Sequence, residues 1–376
     1  MIDQDKKSNH DITDTQDNTN KDKRIAVVLL NLGGPDKKES IKPFLFNFFM
    51  DKNIIRAPIF VRYLVAKLIS IRRSKREAGE SYGELGDKSP LLANSQAQAD
   101  ALEKFLNLES SEHFKSFICM RYWHPMSDEV AQQVKDFNPD EIILLPLYPQ
   151  FSTTTTRSSI QEWEKAVKTI NLNTPTTTIC CYPWDEGFIE ASAENIRKTY
   201  NKALAEAERK PRLLLSAHGL PESIIKDGDP YQWQCEQTAE KIAKATGIKD
   251  IDWQICYQSR VGPQKWIGPS LDDALKQAAD DGKPVIILPH AFTQEHVETL
   301  VEIEIEYREM AEELGIHHYY KVETVGTSAA FIEGLSDLVI NNLGKNKTVS
   351  MSGKSLCPEG FKDCCVRQYE KNNKAA

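Results

Sequence analysis

Long apolar runs are missing from this 376-residue sequence. No stretch approaches the ~18 consecutive apolar residues that a membrane-spanning helix needs, so none is expected. Positive charge is outnumbered. Lys and Arg number 47 against 55 Asp and Glu, a formal net charge of −8, and no basic stripe stands out. Nucleic acid is therefore not expected as a partner. Residues 1–23, MIDQDKKSNHDITDTQDNTNKDK, hold almost nothing apolar. They lack the apolar centre of a secretory signal and are too acidic for a transit peptide, which predicts a disordered N-terminal tail on a cytoplasmic protein. The 8 cysteines carry no export signal with them, so a reducing compartment is expected, and clustered thiols point to metal rather than to a disulfide framework. Nucleotide loops are missing as well. NLGGPDKKES lacks dinucleotide-loop spacing, and SGKS (352–355) lacks the glycine that a phosphate loop requires at 348, where this chain has Thr348.

What is present is a set of short apolar runs, each broken by a turn: RIAVVLLNLGGP (24–35), EIILLPLYPQ (141–150), PRLLLSAHGLP (211–221) and KPVIILPHAF (283–292). Amphipathic segments such as DALEKFLNL and EQTAEKIAKATG lie between them. Strand, turn and helix in repetition predict an α/β fold with parallel sheets covered on both faces. The length exceeds one core and favours two domains. IILLPLYPQFSTTTT and VIILPHAFTQEHVET echo each other, as two similar halves would. Both polar runs follow strand carboxyl ends, where open α/β sheets bind ligands, and are expected to face one cleft.

The stretch PHAFTQEHVETLVEIEIE (289–306) sets Glu298, Glu302 and Glu306 four apart. On a helix these carboxylates stack along one face. A solvated acidic face is the plain alternative, and the period of two in VEIEIEY also fits a strand. Against solvation, Val297, Leu300, Val301, Ile303 and Ile305 leave no wide polar face. A buried row needs protons or cations to neutralise it. An α-helix would rotate such a row by about 40° per step, and a wider π-type turn would bring it back into line. In SAHGLPES (216–223), His218 projects from a strand tip, either as a loop cap or as a general base working near neutral pH.

Eight blocks in order, LLNLGGP, FLFNFFMDKNIIRAP, SPLLANSQ, MRYWHP, LYPQFSTTTT, SAHGLPESIIKDGDPY, CYQSRVGPQKWIGP and AFTQEHVETLVEIEIEY, make the chain resemble ferrochelatases from about Arg24 to Leu343. These enzymes insert ferrous iron into a porphyrin at the end of haem synthesis. The resemblance implies two Rossmann-like, chelatase-type domains (24–178 and 179–345) with the active-site cleft between them, and a Cys-containing C-terminal tail (346–376). It implies that His218 and Glu298 are catalytic, and that His218, Glu298, Glu302 and Glu306 meet the metal or pass protons along a π-helical segment. His296 pairs with Glu298 in that pattern. Ser89, Arg121, Tyr122, Tyr231 and Trp266 are implied to line the pocket or meet the propionates, and Phe292 to sit against the macrocycle.

The implied substrates are Fe2+ and protoporphyrin IX, on a monomer or homodimer. KPFLFNFFMDKNIIRAPIF (42–60) packs four phenylalanines and a methionine into seven residues. It reads either as a core helix or, by the resemblance, as a pocket lip that touches the inner membrane surface peripherally, with Lys52 and Arg56 beside it. So apolar a lip suits protoporphyrin better than the more polar coproporphyrin. Some family members hold a [2Fe–2S] cluster on three C-terminal cysteines and an internal one. Here Cys357, Cys364 and Cys365 fill the tail, but QFSTTTT, the usual internal position, has no cysteine; Cys181 (or its neighbour Cys180) in TTTICCYP would substitute. The alternatives are a coproporphyrin or cobalt chelatase of the same superfamily and a non-catalytic porphyrin carrier; a carrier would need no proton-handling row.

Overall fold

The apolar runs become nine strands in two parallel sheets in the computed structural model, which describes residues 22–77, 88–260 and 264–375. The expected disordered tail, 1–23, lies almost wholly outside the described residues. Strands β1 (Arg24–Asn31), β2 (His113–Met120), β3 (Glu141–Pro146), β4 (Thr176–Ile179) and β9 (Thr348–Val349) form one sheet in the order β2-β1-β3-β4-β9. Strands β5 (Arg212–His218), β6 (Trp253–Gln258), β7 (Val285–Pro289) and β8 (Tyr319–Lys321) form the second, ordered β6-β5-β7-β8. Every pairing is parallel. Helices cover both faces, which is why β1 and β5 read as continuous apolar runs rather than alternating ones.

One face of each sheet turns toward a shared core. Ile25, Val27 and Leu29 of β1 belong to the same apolar cluster as Leu213 and Leu215 of β5 and Ile286 and Leu288 of β7. Helix Ala329–Ile340, from late in the chain, packs on helix Glu186–Ala207 and on helix Leu91–Glu109. The first crossing is so close that a Cβ at Gly187 would lie 2.1 Å from the Ala330 carbonyl oxygen. Glycine is required there by contact, not by backbone conformation.

Residues 346–376, expected as a tail, instead rejoin the first sheet. β9 pairs with β4 through Thr178↔Thr348 and Ile179↔Val349, and Cys365–Ala375 is helical. Without β9, β4 would be a bare edge with unpaired backbone groups. A two-residue strand leaves no periodicity by which a sequence could announce it.

The two polar runs part company. Gln150, Ser152, Thr153 and Thr154 are buried. Buried Asp229 accepts from the Ser152 hydroxyl (3.0 Å) and from the Thr153 amide (2.7 Å) and hydroxyl (2.6 Å). That run seals the junction between the halves instead of facing a cleft.

The second run is held by amides. Asn31 Nδ2 donates to Gln294 Oε1 at 2.8 Å and to Ser95 Oγ at 3.1 Å. Gln98 Nε2 donates to the carbonyls of Thr293 (3.0 Å) and Gly326 (2.7 Å), while Gln98 Oε1 accepts from Gln294. Asn94 Nδ2 donates to the Glu295 carbonyl at 2.7 Å. The tip of β1 and helix Leu91–Glu109 thereby fix the loop that follows β7. Because Gln98 is fully buried, Gln98→Ala would strand two carbonyls and an amide. It should cost about 2–4 kcal/mol in urea unfolding, and a loss under about 1 kcal/mol would contradict this role.

Candidate functional site

His218 ends β5, and its Nδ1 lies 2.7 Å from the Gly219 carbonyl oxygen. A carbonyl only accepts, so Nδ1 carries a proton, and in the neutral tautomer the lone pair is on Nε2. That Nε2 faces Glu298 Oε1 at 3.9 Å, with both side chains about 36% exposed, accessible yet not bathed in solvent. A Cβ at Gly219 would come within 3.3 Å of the Trp266 ring, so the indole lies against this turn. Trp266 Nε1 is buried with no hydrogen-bond partner among the described residues.

Glu298–Glu306 is a nine-residue π-helix. The strand alternative is thus excluded, and the wider turn keeps side chains four apart in register. Val301 and Ile303 are buried on its inner face, and Tyr319 Oη donates to the Ile303 carbonyl at 2.5 Å. Glu304, off the row, is bound to Arg308 at 2.5 Å. The row itself starts at half-buried Glu298 facing His218, passes Glu302 and reaches solvent at Glu306. Glu302 Oε2 accepts from Ser259 Oγ (2.6 Å) and Gln258 Nε2 (3.1 Å). Burial, reinforced by the charge of Glu298, pushes the Glu302 carboxyl up to about 7. It can therefore hold or release a proton near neutrality.

His296 caps the entry to the π-helix. Its Nδ1 accepts from the Glu298 amide at 3.0 Å, and its ring sits edge-on to Phe292 with centroids 4.4 Å apart. Burial of the ring pushes its pKa down, which favours the neutral imidazole. Glu295, just before it, accepts from Thr299 Oγ1 (2.5 Å) and the Thr324 amide (3.0 Å) and pairs with Lys321 (3.0 Å). These bonds anchor the first turn.

The structure thus brings His218, Glu298, Glu302, His296, Phe292 and Trp266 to one place. Tyr231 is buried at the start of its helix, its amide donating to Asp229 at 2.9 Å, and the Tyr231 hydroxyl is pushed well up by burial. Ser89 accepts from the Leu91 amide (3.3 Å), and a Cβ on Gly34 would touch its side chain at 2.6 Å. Arg121 and Tyr122 have partners within the chain. Tyr122, fully buried, donates to Asp51 at 2.7 Å, and Arg121 pairs with Asp51 at 3.2 Å and donates to Ser158 Oγ at 2.7 Å. Their immediate work is to seat the lip. Sequence reasoning missed Asp51, Ser158, Gln258 and Ser259. The last two stand at the carboxyl end of β6, the same kind of position that singled out His218.

The lip is a helical hairpin. In helix Lys38–Phe49, Ile41, Phe44 and Leu45 are buried, and Phe48 packs edge-on to Tyr122 at 5.0 Å with Val297 alongside. The phenylalanine cluster is therefore largely a packing surface. Exposure comes one helix later: Ile59–Glu77 presents Phe60 (82% exposed), Leu64 (67%), Ile59, Val61 and Leu68, with Arg62, Lys67 and Arg72 on the same helix. Among the described residues no helix is long and apolar enough to cross a membrane.

Five cysteines converge beside β4. Cys180, Cys181, Cys357, Cys364 and Cys365 share one cluster with Phe151 and Val366. The sulfurs of Cys180, Cys181 and Cys365 lie within 4.8 Å of one another, and Cys180 and Cys365 are joined as a disulfide, contrary to the expectation of thiols alone. Gln234 Nε2 donates to the sulfurs of Cys357 (3.3 Å) and Cys181 (3.7 Å). The hydrogen bond from Cys357 holds the Cys364 thiol down to about 5. Thr153, in the run where a cysteine was missing, gives its hydroxyl to Asp229 instead.

Comparison with known proteins identifies the family of the chain. The family model described as Ferrochelatase matches residues 24–343. A ferrochelatase of Pelagibacter ubique is 47% identical over 347 residues, covering 92% of this chain and 99% of the relative. One of Caulobacter vibrioides is 49% identical, covering 92% and 98%. Among solved structures, SirB from Bacillus subtilis with Fe3+ aligns with a TM-score of 0.47 at 11% identity, over 86% of this chain and 96% of that one. The chain belongs to the ferrochelatase family.

Proposed function

We propose that this protein inserts Fe2+ into protoporphyrin IX, with His218 and Glu298 at the reacting centre. As a ferrochelatase it is a lyase that places ferrous iron in a porphyrin for haem synthesis. The observation that supports the residue roles is His218 Nε2, the ring nitrogen not engaged by the Gly219 carbonyl, facing Glu298 at 3.9 Å at the head of a carboxylate row that ends in solvent. Iron entering the ring displaces two pyrrole protons. His218 Nε2 is placed to take one, and Glu298 to receive a proton or to face the metal dication. Glu302, with its carboxyl near neutrality, passes protons on to Glu306, and the same row can lead Fe2+ inward. Phe292 and Trp266 supply the flat apolar walls that a macrocycle needs, while buried Tyr231 lies within electrostatic reach of Glu298. A wall that fits a bent ring favours the transition state over the planar substrate. Arg121 and Tyr122 serve the porphyrin through the lip that they seat.

The lip's second helix supports peripheral membrane contact on the cytoplasmic side. Exposed Phe60 and Leu64 beside Arg62 and Lys67 are the composition of a helix lying in a lipid interface. The apolar lip also favours protoporphyrin over coproporphyrin. A porphyrin carrier would have no use for the proton-handling row.

The cysteine pocket suits a [2Fe–2S] cluster. With the Cys180–Cys365 disulfide reduced, Cys357, Cys364 and Cys365 with Cys181 or Cys180 would offer four thiolates, and Gln234 donates N–H to two of the sulfurs. When bound, the cluster supplies a one-electron centre, and the residues around it hold β9 and the C-terminal helix together.

In anaerobic assays with Fe2+ and protoporphyrin IX, His218→Ala should lose at least ~100-fold in turnover with porphyrin affinity within about threefold. Near wild-type turnover would overturn the base assignment. Glu298→Gln should lose at least ~10-fold and Glu304→Gln less than about twofold; equal losses would contradict the row. Anaerobically purified protein should show two-iron visible absorption and, on reduction, an EPR signal, both lost in Cys357→Ser. Colourless protein whose Cys357→Ser variant is fully active would remove the cluster.

A further inference from the structure

We infer that Arg56 and Asp227 form a latch that holds the lip across the metal-insertion cleft. The inference rests on the porphyrin-metallating reading of that cleft. Arg56 lies in the turn between helices Lys38–Phe49 and Ile59–Glu77, and Asp227 directly follows helix Glu222–Lys226, which hangs from the segment after His218. Arg56 Nη1 meets Asp227 Oδ2 at 2.5 Å. The lip already packs beside Glu298 through Val297, Phe44 and Phe48. With Arg56 reaching the His218 side, it spans both banks of the His218–Glu298 gap.

Both ends of the pair are rooted, and the pair is the weak point. On the lip side, Asp51 is buried and bonded to Tyr122, Arg121 and the Asn53 amide (2.8 Å). On the other side, Gly228 has φ +102, and a Cβ there would lie 2.6 Å from the Lys362 side chain. The Gly228 carbonyl accepts from the Asp363 amide at 3.1 Å, and Asp229 is held by Ser152 and Thr153. Residues 227–229 cannot follow a moving lip, so separation falls at the ion pair. Its neighbour Lys226 is engaged with Glu222 at 2.6 Å, which leaves Asp227 to Arg56.

The side chains are 45% and 55% exposed. An exposed, screened pair shifts an equilibrium by no more than about fivefold. That strength suits a contact that must open for a rigid macrocycle to enter and for the metallated product to leave. A buried pair would hold the cleft shut.

The test is anaerobic metallation of protoporphyrin IX by the full chain in detergent, with Arg56→Ala, Asp227→Asn and the exchanged pair Arg56→Asp/Asp227→Arg. Each single variant should raise KM for porphyrin about two- to fivefold and speed porphyrin release, followed by fluorescence, with the single-turnover insertion rate within about twofold. The exchanged pair should bring KM back to within about twofold. Raising salt from roughly 0.05 to 0.5 M should raise KM of the native protein and leave the single variants unmoved. Native KM and salt response in the single variants, or an exchanged pair no better than they are, would overturn the latch. Native protein that fails to metallate porphyrin would instead overturn the reading of the cleft, and porphyrin release rates would still decide the latch.

Discussion

Carboxylates resist leaving water, and the arrangement of this molecule follows from bringing three of them through its wall in single file. The solution is graded. Glu306 stays in solvent, Glu302 shares its charge with Ser259 and Gln258 and takes up a proton near neutrality, and Glu298 stands half-exposed before an imidazole. No member of the row is left both buried and unpaired, the one arrangement that would be costly.

Keeping the row aligned calls for a helix wound in an unfavourable way. π-winding does not sustain itself, and here it is fastened ahead of its start, at its first turn and within it. Asn31, Gln98 and Gln294 clamp the loop before it, Glu295 and Thr299 tie its first turn, and Tyr319 takes the Ile303 carbonyl within it. Two of these groups, Asn31 and Gln98, come from the other half of the chain. The two sheets therefore share a core, and helix Ala329–Ile340 crosses between the halves.

The strands and the strand-tip position of His218 were legible because each has a local signature, an apolar run ending in a turn, whereas the spacing of four in the Glu298–Glu306 row also fits an α-helix and its π-type winding was implied by the family resemblance. What was not legible depends on partners far along the chain. Gln258 and Ser259 gain meaning only when β6 lies beside the π-helix. Asp51 looks like any loop aspartate until Tyr122 and Arg121 close over it. The phenylalanine run read either as a core helix or as an exposed lip; packing against Tyr122 covers much of it, and exposure falls on Ile59–Glu77 instead. The C-terminal cysteines looked like a tail because the strand that docks them is only two residues long.

The central claim is that the imidazole at 218 and the carboxylate at 298 act as one unit. A double-mutant cycle in single-turnover metallation, using Zn2+ for its fluorescent product, tests it most directly with His218→Gln, Glu298→Gln and the two combined. The account predicts that the combined variant is no more than about threefold slower than the slower single variant, as for groups that work together. A combined loss equal to the product of the two separate losses would mean that the residues act independently, and would contradict it.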